Sequence, residues 1–330
     1  MQNNWNQSAK FEQLKKMDTS SNITTRQNQQ PGDLKNDAIG ELWIVHIVLF
    51  LIIYLVALIE NIIIITVIVC SHQLHSPMYF FLVNLSLQDL GSISVTVPKS
   101  MLNSLMNTEA ISYSGCVCQV FFLVFFMMSH FFLLFVMAYD HYVAICNPLH
   151  YETIMSKKAC IQMATSVWMG GLSYSMLYTG NLFSVKFCSK IIYQFFCEIP
   201  QLLKISCSTS YVAEEWLIIV GSSLAFIFFV LIVFSYVRIF KAVLQIPSTQ
   251  GKQKAFSTCL PHLLVICLFL VSGNFAYLKP TSSFPSTSDI LISTFYCVVP
   301  PIMNPLIYSM RNKELKMAFW NLFFKFFSIT

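Results

Sequence analysis

Long, nearly uninterrupted apolar stretches recur from Leu42 almost to the C-terminus, and this feature constrains the fold more than any other. A helix needs about 20 mostly apolar residues to cross a hydrocarbon core, and no soluble core has room for so many such segments. The charge content agrees: 11% of the 330 residues are charged and 56% hydrophobic, whereas a water-facing domain needs about 25% charged residues to stay solvated. The solvent of this chain is lipid, and backbone groups in lipid must be satisfied within each segment. The spans are too long and too uniformly apolar for barrel strands, so the fold class expected is all-α.

The spans run roughly from Leu42 to Val69, Pro77 to Leu102, Cys116 to Tyr142, Lys158 to Phe183, Glu215 to Leu244, Lys252 to Tyr277 and Ser288 to Met310. These predict a seven-transmembrane-helix bundle over 42–310, a polar extracellular tail over 1–41 and a short cytoplasmic tail over 311–330. In the last segment Lys313, Lys316 and Lys325 alternate with Phe319, Trp320, Phe323 and Phe324, the pattern of an amphipathic helix lying on the inner leaflet. No internal repeat of the transporter kind is present, so the spans form one domain.

Orientation follows from the positive-inside rule. With the N-terminus outside, the inner side receives Lys157, Lys158, Arg238, Lys241, Lys252, Lys254, Arg311, Lys313, Lys316 and Lys325, against Lys99 and Lys279 on the short outer connections. Asn6-Gln7-Ser8 and Asn22-Ile23-Thr24 are glycosylation sequons in the tail that this orientation exposes. Asn84-Leu85-Ser86 also matches but lies within a span. The tail lacks a short apolar core and a cleavage site, so the first span is expected to act as the insertion signal. The net charge of +5 is spread over membrane edges rather than gathered into a nucleic-acid-binding patch.

Four ordered stretches carry a resemblance: Leu74-His75-Ser76-Pro77-Met78-Tyr79-Phe80-Phe81-Leu82, Met137-Ala138-Tyr139-Asp140-His141-Tyr142-Val143-Ala144-Ile145-Cys146-Asn147-Pro148-Leu149, Lys254-Ala255-Phe256-Ser257-Thr258-Cys259 and Pro300-Pro301-Ile302-Met303-Asn304-Pro305-Leu306-Ile307-Tyr308. Together they resemble the vertebrate odorant receptors, a branch of the rhodopsin-like G-protein-coupled receptors, over roughly Val45 to Lys316. The resemblance implies a plasma-membrane receptor, not an enzyme and without a cofactor, whose partners are a small volatile odorant, a heterotrimeric G protein that raises cyclic AMP, the membrane lipid and an export chaperone.

The residues themselves narrow the ligand. Gln119 to Met128, in the outer half of the third span, holds neither acid nor base, and an unpaired buried ammonium would be expensive there. A small, largely apolar, uncharged ligand is expected. The resemblance places the ligand at Leu123, Val124, Met127 and Met128, with Val220 and Leu224 on the fifth span and Leu270, Gly273, Asn274 and Tyr277 on the sixth. It places coupling and switching at Asp140, His141, Tyr142, Tyr236, Lys254, Asn304, Pro305 and Tyr308. Asp89 is an ionisable group in the bilayer, which by default faces the bundle interior with partners, and the resemblance names Asn61 and Asn304 as those partners. Cys116, Cys188, Cys197 and Cys207 allow three pairings on the outer side; the resemblance implies Cys116 with Cys197 and Cys188 with Cys207, Cys118 being the second choice for Cys116.

The chain departs from the family pattern at several places. His141 stands where an arginine is usual between Asp140 and Tyr142, which leads to an alternative reading: a receptor fold with impaired or lost coupling. His130 stands where a glutamate is usual, removing a ligand from any sodium site at Asp89. Glu60 puts a carboxyl before Asn61 in the first span. The tail is longer and more polar than usual. A pump or channel is disfavoured because no lysine lies between Ser288 and Met310 and no relay of carboxylates or metal-ligand cluster is present. His262, beside Cys259, reads as a membrane-edge histidine.

Overall fold

The computed structural model describes residues 22–25, 36–105, 110–184, 191–192, 197, 199, 202, 212–278, 287–311 and 313–327. Among these, seven long helices form the bundle: α1 (Asn36–Cys70), α2 (Pro77–Leu105), α3 (Tyr113–Cys146), α4 (Lys157–Leu182), α5 (Val212–Gln245), α6 (Thr249–Leu278) and α7 (Thr287–Arg311). An eighth, α8 (Lys313–Phe327), follows α7. α1 starts upstream of the expected Leu42. Its 35 residues reach about 50 Å at ~1.5 Å per residue, longer than the ~30 Å hydrocarbon core, so its polar first turns need no apolar composition.

Local chemistry sets several boundaries. Ser112 caps α3 by accepting from Gly115 N at 3.1 Å, and Ser156 caps α4 by accepting from Ala159 N at 3.4 Å, each satisfying one of the amides that a helix start leaves without a partner. Prolines occur within α2 (Pro98), α6 (Pro261) and α7 (Pro300, Pro301, Pro305). Pro305 has no N–H for the carbonyl one turn earlier, that of Pro301. The amide of Asn61, on α1, donates to this carbonyl at 2.9 Å and to Ala57 O at 2.9 Å.

α3 is the central post, packed against α2, α4, α5 and α6. Its burial is the deepest of the membrane-length helices, whereas α1 and α5 turn most of their apolar side chains outward, as lipid-facing helices do. The largest buried cluster joins Leu85, Leu133, Leu134, Met137, Ile239 and Val265. Two smaller ones flank α3 nearer its start: Val120, Val124 and Met128 meet Leu182 and Leu202 on one side, and Leu123 meets Ala57, Ile93 and Val97 on the other.

The N-terminal tail is not wholly detached. Asn22–Thr25 (β1) pairs antiparallel with Ala110–Ser112 (β2), setting Asn22 opposite Ser112, and parallel with Ile191–Ile192 (β3). β1 is the middle strand of this small sheet, so the tail bridges two connections at the α3 start. Periodicity gave no warning of it, since a strand this short carries no pattern. Asn6 lies outside the described residues.

Candidate functional site

At the start of α3, Cys116 and Cys197 are joined by a disulfide with Cα atoms 5.4 Å apart, and both are fully buried. Cys118, the alternative partner, is exposed and free. Gln119 fixes the same crossing by using both ends of its amide: its Oε1 accepts from Cys197 N at 3.0 Å and its Nε2 donates to Val95 O at 3.1 Å. The loop is thus tied across the α2–α3 end of the bundle. Cys188 and Cys207 lie outside the described residues.

Below this tie, Leu123, Val124 and Met128 are buried and Met127 is partly buried. The four do not form one patch. Leu123 turns toward the α1–α2–α7 side and Val124 and Met128 toward α4, while Leu123 and Met127 share a cavity of about 50 Å³ with Asp89, His130 and Phe269. On α5, Leu224 is half-buried and Val220 is 53% exposed, so Val220 faces away from that cavity. Leu270 packs partly buried against the main core. Gly273, Asn274 and Tyr277 belong to the last turns of α6, and their side chains lie outside the described residues.

The interior polar cluster sits one turn deeper. Asp89 is 1% exposed, and Asn304 Nδ2 donates to its two oxygens at 3.2 and 3.0 Å. Asn61 was expected to share this role and does not: both of its recorded donations go to backbone carbonyls, because the kink at Pro305 leaves one of them unclaimed. The other side chain facing Asp89 is His130, whose Nδ1 is 3.6 Å from Asp89 Oδ1. Glu60 lies apart from this cluster. Its Oε2 is buried with no hydrogen bond, in a cavity of about 290 Å³ between α1, α7 and α8 that Lys316 also lines.

The other end of the bundle opens as a cleft of about 840 Å³ lined by Asp140, His141, Tyr151, Lys254, Thr258 and Tyr308 among others. Asp140 Oδ1 accepts from the Tyr151 hydroxyl at 2.8 Å. Burial, and then the Asp140 carboxylate beside it, push the Tyr151 phenol above its usual value, which keeps it a donor. His141 is buried; its Nε2 is 3.3 Å from Thr258 O on α6 and its Nδ1 is 3.8 Å from Asp140 Oδ2. Tyr142 is not part of the cleft lining and packs its ring by Tyr139. Tyr236, on α5, and Pro305 and Tyr308, on α7, are buried.

His262 is the residue that sequence reasoning misplaced. It is fully buried rather than at a membrane edge, its Nδ1 lies 2.6 Å from the Tyr236 hydroxyl, and its ring centre is 5.1 Å from that of His141. α3, α5 and α6 are therefore joined by Thr258, His141, His262 and Tyr236. A lone histidine in an apolar span gives no sequence signal of which neighbour it will meet, although two histidines and a tyrosine in separate spans could have prompted the question. Among the described residues, no group of three potential ligands that could hold a metal ion is present.

On α8, Leu315 is buried while Lys313, Lys316, Met317 and Trp320 are exposed. Glu314 Oε2 accepts from the Tyr79 hydroxyl at 2.8 Å, which ties α8 to the start of α2.

The profile of the olfactory receptor family matches residues 50–325. Human olfactory receptor 14A16 is 50% identical over 276 residues, covering 83% of this chain and 89% of its own length. Human olfactory receptor 14I1 is 49% identical, covering 88% of this chain and 93% of its own, and human olfactory receptor 14J1 is 48% identical over 84% and 87%.

Proposed function

The chain belongs to the olfactory receptor family, and from that premise we propose that it binds a small, uncharged, largely apolar odorant beside α3 and passes the signal to a Gs-type G protein at the opposite end. It is a multi-pass receptor of the plasma membrane, not an enzyme. The observation that carries the ligand reading is the uncharged face of α3, which lies between the disulfide tie and the Asp89 cluster. Leu123 and Met127 supply apolar contact there, Val124 and Met128 close the side toward α4, and Leu224, Leu270, Gly273, Asn274 and Tyr277 complete the pocket from α5 and α6. Val220, half exposed, contributes least. Met side chains adapt to several shapes, which suits loose recognition.

The odorant acts by favouring the bundle arrangement it binds better. Asp140, His141, Tyr142, Tyr236, Lys254 and Tyr308 face or support the cleft that receives the G protein, and Asn304 and Pro305 form the flexible step in α7. The N-terminus lies outside, where Asn22 is glycosylated, and an export chaperone brings the chain to the surface.

A second reading has one observation in its favour. His141 borders the cleft but lies buried against Thr258 and His262 on α6, and so holds α3 to α6. Coupling is then weak. A cyclic-AMP reporter assay on an odorant panel, comparing the original chain with His141→Arg, tests both readings. A response from the original establishes coupling through histidine. A response only from His141→Arg establishes an intact pocket with lost coupling, and silence from both surfaced proteins overturns the receptor reading.

A further inference from the structure

The apolar stripe of α3 ends in a polar group with one nitrogen facing a carboxyl and the other facing no partner. Leu123, Met127 and His130 follow one another at helical spacing, so their side chains share a face, and all three line the cavity of about 50 Å³. His130 is 6% exposed. Its ring lies flat on Phe269, with centres 4.9 Å apart and planes 11° from parallel, which fixes the direction of both nitrogens. Nδ1 is directed to Asp89, 3.6 Å away. Nε2 is buried and has no hydrogen-bond partner, a state that native interiors avoid unless something else occupies the site.

The tautomer decides what that something can be. A net charge in the bilayer interior is expensive. The titratable groups next nearest to the pair, Tyr308 and His262, offer no compensating cation in their neutral forms. Asp89 and His130 are jointly neutral with two protons between them, and one of these lies where the carboxyl and Nδ1 face each other, 3.6 Å apart, because both Asp89 oxygens otherwise meet only the Asn304 donor. Whichever of the two holds it, Nε2 keeps its own hydrogen and is a donor. Asn304, already donating to Asp89, supports the same arrangement from α7.

We propose that His130 Nε2–H, at the floor of the pocket, binds the polar end of the odorant, and that this end is a hydrogen-bond acceptor: the carbonyl of an aldehyde, ketone or ester. The cavity is of the right scale, since a water's share of liquid volume is ~30 Å³ and a carbonyl group is comparable. The apolar remainder of the ligand lies along Met127 and Leu123. This inference rests on the reading of α3 as the odorant face and adds the ligand class.

The test uses the purified full chain in nanodiscs, with thermal stabilisation measured against increasing concentrations of medium-chain alkanals and of alkanes of equal length. The expected result is half-saturation by the alkanal at a concentration roughly fivefold or more below that of the alkane, the scale of one net hydrogen bond. That preference disappears in His130→Phe, which keeps the stack on Phe269, and survives in His130→Gln, which keeps an N–H donor. Equal stabilisation by the two probes in the original chain overturns the proposal even if His130→Phe does not fold, as does an alkanal preference that persists in His130→Phe. Binding of both probes without preference leaves the odorant-face reading intact, whereas stabilisation by neither overturns both.

Discussion

Replacing Tyr236 with phenylalanine removes one hydroxyl from the junction of α3, α5 and α6 and leaves the rings in place. In the native chain that hydroxyl is 2.6 Å from His262 Nδ1, and both residues are buried, at 4% and 0% exposure. Tyr236→Phe strips the imidazole Nδ1 of the hydrogen bond that ties α6 to α5 and leaves only the Leu134 backbone on α3 within its reach. A buried polar group abandoned in this way costs about 1–3 kcal/mol. His262→Phe removes the other partner and leaves the Tyr236 hydroxyl orphaned, with a cost on the same scale. In the double variant neither orphan remains, because replacing both partners by apolar groups of similar shape is nearly neutral. The two single costs therefore do not add: the double variant is more stable than their sum by about 1 kcal/mol or more. Reversible unfolding of purified protein in mixed micelles, monitored by tryptophan fluorescence, measures all four corners of the cycle. Additive costs, or single costs below about 0.5 kcal/mol, would refute the view that this pair fastens α5 to α6.

Three other outcomes follow from the geometry. Cys197→Ser opens the Cys116 bond, which closes a sequence separation of 81 residues; the expected loss is about 2–5 kcal/mol, read as reduced surface expression and lower thermal stability, while Cys118→Ser, at an exposed free thiol, leaves both unchanged. Gly171 brings α4 against α3, where an added Cβ would meet the Ser129 hydroxyl and the Phe125 carbonyl; Gly171→Leu is expected to cost about 1–3 kcal/mol through overpacking, seen as intracellular retention and a lowered unfolding temperature, whereas Gly180→Leu, with nothing within 4 Å of the added Cβ, is tolerated. Asn22→Gln removes the sequon in β1 and is expected to increase gel mobility; unchanged mobility would contradict glycosylation at Asn22.

Composition and order along the chain were enough to determine the solvent, the number of spans, their helical state and the family. Each depends on local quantities: apolar length, the need to satisfy backbone groups in lipid, and motifs read along one strand of sequence. That the outer half of α3 carries neither acid nor base was legible for the same reason; which of its residues share a side was not, since Leu123 and Met127 line one cavity while Val124 and Met128 pack toward α4. The partners of polar groups were not legible, since they depend on how separate helices rotate against one another. Asn61 was expected at Asp89, yet the carbonyl freed by Pro305 claims it; His262 was read as a membrane-edge residue, yet the packing of α3, α5 and α6 buries it against Tyr236. The strand at Asn22 is the extreme case, being too short to carry a pattern and stabilised only by two connections distant in sequence. In a medium without water, an unpaired polar atom takes whichever partner the packed bundle offers, so the helices were written in the sequence while their hydrogen bonds were decided by the tertiary structure.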